Sequence, residues 1–271
     1  MREAEFGFIQ GRMSKTPSKK ILQYFPKKNW QKEFNYAKKN NFKFIEYFAE
    51  RKFNKNNPIW SLKGLNKIKG LVKKNNLYNY SFCDDYFITH NFCNFKDYKF
   101  YAEKIIKVLS FLKIKVYVLA LFEKSEINKK NIQRFIPNLQ FLSEKLKKKK
   151  IKLALETNLD NFYIKKLIKL IKSKNLFLVY DTGNRLKKNN TQYDEILNLK
   201  KYICHIHLKD KNFKGKNVVL GQGKVNFARI FKALKKIKYN GKFTFETNRG
   251  NEPIETMKNN RDIILNLINS L

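Results

Sequence analysis

Two kinds of segment alternate along the chain. Short runs dense in β-branched and aromatic residues are followed by longer stretches in which apolar positions recur every three or four residues between lysines. The first kind predicts strands at 6–10, 44–47, 78–83, 116–121, 151–155, 176–180, 203–208 and 243–245. The second predicts helices at 30–39, 62–74, 97–112, 129–149, 162–173, 193–199, 227–237 and 253–268. The helix at 62–74 carries Leu65, Ile68, Leu71 and Val72 on one face, and that at 97–112 carries Ala102, Ile105, Ile106 and Leu109. Eight strand–helix units in 271 residues predict a parallel sheet closed into a single (β/α)8 barrel, a TIM barrel, over 1–271. A doubly wound open sheet is the alternative. It would place a glycine-rich turn after the first strand, and Phe8-Ile9-Gln10-Gly11-Arg12 is not that fingerprint.

Composition narrows the class. The longest apolar run, 116–122, is far short of the ~20 residues that cross a bilayer. The start of the chain lacks the features of a signal peptide, so a soluble cytoplasmic protein without a membrane partner is expected. Cys83, Cys93 and Cys204 have no metal-finger or paired-thiol spacing and read as reduced, structural thiols. The formal charge of +37 invites a nucleic-acid reading. However, 51 lysines stand against eight arginines and are spread over the whole length. Lys, Asn, Ile, Phe and Tyr share A/T-rich codons, so compositional bias accounts for the charge and no specific nucleic-acid partner is expected. Polyanions would still be attracted at low salt.

In such a barrel, functional side chains project from the C-terminal ends of the strands. The fifth strand ends Leu155-Glu156-Thr157, the sixth Tyr180-Asp181-Thr182-Gly183-Asn184, and the eighth Phe245-Glu246-Thr247. The seventh runs His205-Ile206-His207-Leu208-Lys209-Asp210. Four consecutive strands thus bring Glu, Asp, His and Glu to one rim of a chain with only 22 acids. Each acid could simply pair with a lysine. As a set, three carboxylates and an imidazole suit one divalent ion: Mn²⁺, Co²⁺, Mg²⁺ or Zn²⁺.

These pieces, with Phe8-Ile9-Gln10-Gly11-Arg12 and Leu220-Gly221-Gln222-Gly223, resemble the sugar phosphate isomerase/epimerase family with the xylose isomerase-like barrel, over essentially the whole chain. The resemblance implies that Glu156, Asp181, His207 and Glu246 hold one ion, with Glu156 and Glu246 also acting as the acid/base pair. It implies an isomerase for a small-molecule sugar or sugar phosphate, of ketose 3-epimerase or aldose–ketose type. A metal-dependent dehydratase or isomerase of an inositol-like or keto-acid substrate is the alternative, and a homodimer is expected because relatives often form one. The chemistry requires removal of a proton beside a carbonyl and stabilisation of the enediolate that results.

His205 lies two residues before His207 on the same side of its strand and is expected at the substrate, or in His207's place as ligand. Arg12 and Arg249, just beyond the first and eighth strands, suggest an anion site for a substrate phosphate, which Lys209 and Lys211 would assist. His90 reads as a surface-loop residue, and Glu46 as a substrate contact or a local ion pair. A related abasic-site endonuclease would need a three-zinc cluster with additional histidines. The chain has three in all, and Asn184 stands where a ligand histidine would be. A barrel that binds a sugar without turning it over would predict a damaged ligand set.

Overall fold

The computed structural model describes all residues except 1–3, 19, 20, 95–97 and 190. Strands β1 (Phe6–Ile9), β2 (Phe44–Ala49), β3 (Ser81–Asp84), β4 (Val116–Ala120), β5 (Lys152–Glu156), β6 (Leu176–Asp181) and β7 (Ile203–Leu208) follow one another round a closed barrel. Two-residue strands β8 (Asp210–Lys211) and β9 (Asn217–Val218) form an antiparallel hairpin, and β10 (Lys242–Phe245) completes the ring between β7 and β1. The helices are α1 (Lys32–Lys39), α2 (Leu62–Lys74), α3 (Tyr86–Thr89), α4 (Tyr98–Phe111), α5 (Ile132–Lys148), α6 (Asn161–Ile171), α7 (Gln192–Leu199), α8 (Phe227–Lys236) and α9 (Pro253–Asn269). Among the described residues, no helix is long and apolar enough to cross a membrane.

The described chain falls into two compact units, Met1–Ile45 with Tyr180–Leu271, and Glu46–Val179; the divisions lie within β2 and β6. In the Glu46–Val179 unit, β3 and β4 are buried along their whole length. Strands covered on both faces read as continuous apolar runs, as parallel strands do. Leu119 pairs with Leu155, and Leu155 with Leu178, so β4, β5 and β6 run in parallel register. Asp84, at the end of β3, is enclosed by the hydroxyls of Tyr101 and Tyr117 at 3.0 and 2.5 Å. Burial pushes its carboxyl up to about 6, against the lowering effect of those hydroxyls. In the other unit, β10 pairs with β1 through Phe8↔Phe245 and with β7 through His207↔Thr244. Helix α8 buries Phe227, Ile230, Phe231, Ala233 and Leu234 along one face.

Six helices, α1, α2, α4, α5, α6 and α8, are followed within one or two residues by a residue of positive φ: Asn41, Asn76, Lys113, Lys150, Lys172 and Lys238. Glycine is the usual residue for that left-handed exit. A chain with ten glycines fills it with asparagine and lysine instead.

The eight expected strand–helix units are all present, with boundaries shifted by a few residues. The third strand starts at Ser81 rather than at 78. The Asn79 amide is engaged by Tyr47 Oη and the Leu112 carbonyl, and the Tyr80 carbonyl takes both the Lys115 and Val116 N–H groups. The expected helix start at Asp97 lies outside the described residues. Helix α3 and the β8–β9 hairpin were not expected.

Candidate metal centre

Asp181 closes β6, His207 is the fifth residue of β7, and Glu246 follows β10 directly. All three are buried, and each offers a ligand-capable atom within 4.8 Å of the others. A local turn fixes the Asp181 carboxylate. Oδ1 accepts the N–H groups of Gly183 at 2.8 Å and Asn184 at 2.6 Å, while Oδ2 lies 2.8 Å from the Lys209 ammonium. Glu246 is held from both sides. Gln23 Nε2 donates to Oε1 at 3.1 Å and the Arg12 guanidinium stands 3.5 Å away, while His207 Nδ1 and Lys209 Nζ approach Oε2 at 3.2 and 2.8 Å. Burial opposes ionisation of Glu246, but Lys209, His207 and Arg12 together hold its carboxyl well below the usual carboxylate range.

This donor set fits a divalent cation. Two buried carboxylates and an imidazole converge on one point, and Asp181 presents a single oxygen because the other is tied to backbone. Buried carboxylates are costly unless compensated by counter-charge, and here that counter-charge includes a lysine. Glu156, the last residue of β5, is buried as well.

The residues around the three acids and bases are tied to one another. Thr182 Oγ1 donates to the Lys209 carbonyl at 2.6 Å and accepts the Lys209 N–H at 2.9 Å, locking the ends of β6 and β7 together. A Cβ on Gly183 would lie 2.8 Å from Lys209 Cγ, so the lysine stem passes where only glycine leaves room. Asp210 accepts the N–H groups of Gly221 and Gly223 at 2.9 Å and of Val225 at 3.2 Å. That ties the Leu220-Gly221-Gln222-Gly223 turn to the end of β7. His205 is fully buried, with Nε2 3.0 Å from Thr244 Oγ1, and its ring lies 5.2 Å from that of His207.

Arg12 and Arg249, expected at a substrate anion, bind groups of the chain itself in this structure. Arg12 is fully buried and engages the Leu22 carbonyl, Gln23 Oε1 at 2.9 Å and Glu246. Arg249 donates to the carbonyls of Gly11, Ile21 and Leu22 at 2.8, 3.1 and 2.8 Å. Burial, with Arg12 close by, lowers its pKa to about 9. The two guanidinium groups fasten the 21–23 segment over Glu246, and a phosphate would have to displace those contacts. Gln23, which touches Glu246 directly, carries no strand-end signal in the sequence. His90 stacks on Tyr86 with ring centroids 3.8 Å apart, and Glu46 accepts a hydrogen bond from Ser81 at 2.5 Å. A cavity of about 810 Å³, lined in part by Lys15, Lys216, Asn217, Asn248, Arg249 and Asn251, opens beside the 21–22 segment.

Comparison with known proteins agrees with this architecture. D-psicose 3-epimerase of Clostridium cellulolyticum H10 is 14% identical, with a TM-score of 0.76 over 97% of this chain and 99% of that one. L-ribulose 3-epimerase is 16% identical, with a TM-score of 0.76 over 99% and 95%. The 3-keto-D-glucoside 4-epimerase of E. coli is 15% identical, with a TM-score of 0.75 over 97% and 100%. At these identities the likeness is one of fold. An uncharacterized protein of Methanocaldococcus jannaschii is 30% identical over 108 residues, a stretch spanning 35% of this chain and 36% of that protein. Residues 34–267 match the xylose isomerase-like TIM barrel family, and the chain belongs to that family.

Proposed function

We propose that the protein is a divalent-metal-dependent isomerase of a sugar or sugar phosphate, moving a proton at a carbon beside the carbonyl. The observation that carries this reading is the convergence of Asp181, His207 and Glu246 at the ends of three barrel strands. Glu156 is proposed as the fourth ligand. It ends β5, which is paired in register with β6, the strand that carries Asp181. The epimerase activity named for the structurally similar proteins is of the same class.

A divalent ion bound there supplies positive charge for the oxygens of the developing enediolate. The chain's own groups do the rest. Glu156 and Glu246 are assigned the removal and return of the proton. Gln23 and Arg12 fix Glu246 by Oε1, which directs Oε2 toward the centre. His205 lies one pleat below His207 and is assigned to the substrate side of the site. Return of the proton to the opposite face of the same carbon gives an epimer, and to the adjacent carbon an aldose–ketose isomer.

The test is divalent-ion content of the purified protein after chelation and reloading. One ion per chain, bound more weakly by His207→Ala, is the expected result. Absence of specific uptake contradicts the proposal. Three zinc ions per chain would instead favour phosphodiester chemistry.

A further inference from the structure

Lys209, expected beside a substrate anion, lies instead against two carboxylates of the centre. It is almost fully buried, and its ammonium nitrogen stands 2.8 Å from Asp181 Oδ2 and 2.8 Å from Glu246 Oε2. These are two of the oxygens that would ligate the ion. The position is built rather than incidental. Thr182 grips the Lys209 backbone through both its N–H and its carbonyl. Gly183 clears the path of the aliphatic stem, which a Cβ there would approach to 2.8 Å at Cγ and 3.1 Å at Cβ and Cδ. The Asp-Thr-Gly turn after β6 and the Leu-Lys-Asp end of β7 are thus fitted to one another around this side chain.

We propose that Lys209 is a built-in counter-cation of the centre, which a divalent ion must displace from the Asp181–Glu246 pair in order to bind. This rests on the metal assignment above and deepens it. Two buried carboxylates facing each other repel unless a cation lies between them. With the ammonium in place the charges are balanced as the chain folds, so folding does not wait for the ion. The cost appears in affinity. An incoming ion gains the carboxylates only by breaking two short contacts to a buried ammonium, so the centre binds more weakly than its donor set alone would. Ion occupancy then depends on where one lysine side chain lies, which gives the chain a means of regulating its own loading.

The test is calorimetric titration of the full chain with Mn²⁺ alone. It compares the wild type with Lys209→Met, Gly183→Ala and Lys214→Met. Lys209→Met keeps the stem and removes the charge. Gly183 is not in the left-handed region, so Gly183→Ala acts by crowding the lysine stem at its Cβ and Cγ rather than through a forbidden φ. Lys214→Met removes one exposed positive charge from the β8–β9 hairpin and controls for the general effect of net charge. The expected result is Mn²⁺ binding about ten-fold tighter in Lys209→Met, a close buried charge contact being worth at least that much. Gly183→Ala should shift in the same direction, and Lys214→Met should change little. The ion-free melting temperature of Lys209→Met should fall below that of the wild type and recover when Mn²⁺ is added. Equal affinity in wild type and Lys209→Met overturns the proposal while leaving the metal assignment standing, and so does equal tightening in Lys214→Met. Mn²⁺ binding by Lys209→Met but not by the wild type supports the counter-cation in its extreme form and removes metal dependence from the native protein. No binding in any of the four overturns both readings.

Discussion

Glu33 offers a test of the frame that supports the centre. It is fully buried on α1 and accepts the Gly11 N–H at 2.7 Å and the Ser14 hydroxyl at 2.9 Å. Through them it holds the β1–α1 turn that bears Arg12. Burial dominates its titration and lifts its carboxyl from 4.5 to about 7, against the lowering pull of Gly11, Ser14 and Arg249. Below pH 4.5 both folded and unfolded chains hold the proton. Between that point and about pH 7 the unfolded chain releases it and the folded chain keeps it. Stability from this group is therefore fully present below the unfolded value and is lost as pH rises through the folded one. The loss runs at about 1.4 kcal/mol per pH unit and totals roughly 3 kcal/mol. Glu33→Gln keeps an acceptor and abolishes the titration. Urea unfolding of both proteins between about pH 4 and pH 8 should show the variant gaining on the wild type by roughly 3 kcal/mol over that range. A stability difference that stays flat with pH, or moves the other way, would refute the reasoning.

Two further predictions follow from local geometry. Asp210→Ala removes a buried carboxylate that accepts three backbone N–H groups; it should destabilise by about 3–5 kcal/mol in chemical denaturation, since hydrogen bonds to charged groups are among the costlier ones to lose. Lys113, Lys150, Lys172 and Lys238 are exposed and have φ values of 57, 57, 54 and 53°. Glycine at each should stabilise by about 0.5–1 kcal/mol by relieving the left-handed strain, and the melting temperature of the combined variant should rise in steps with each change.

The barrel was legible because both faces of its strands are covered. Val116-Tyr117-Val118-Leu119-Ala120 could only read as a buried strand, and the lysine-faced segments between such runs could only read as helices. The acids of the centre were legible for a related reason. Glu156, Asp181 and Glu246 each break an apolar run at the same relative place, where a charge is otherwise unfavourable. Other parts depended on what the folded chain places beside a residue. One lysine among 51 has no distinguishing mark in the sequence, so the position of Lys209 between two carboxylates could not be read from it. Gln23 reaches Glu246 from a segment 223 residues away. Arg12 and Arg249 both bind carbonyls of residues 21 and 22, contacts that two arginines beyond strand ends do not announce in the sequence. The β8–β9 hairpin went unread because two-residue strands leave no periodicity.

Proton transfer at the carbon beside a sugar carbonyl, with a divalent ion and Glu246, is the step proposed for this site. The most direct measurement is deuterium wash-in from D₂O into a panel of free and phosphorylated ketoses, followed by proton NMR. Runs with Mn²⁺, with chelator, and with Glu246→Gln complete the comparison. Exchange is expected at one carbon next to the carbonyl of at least one ketose, present with the ion and lost both on chelation and in Glu246→Gln. Exchange that persists in Glu246→Gln, or that is indifferent to chelation, would contradict it.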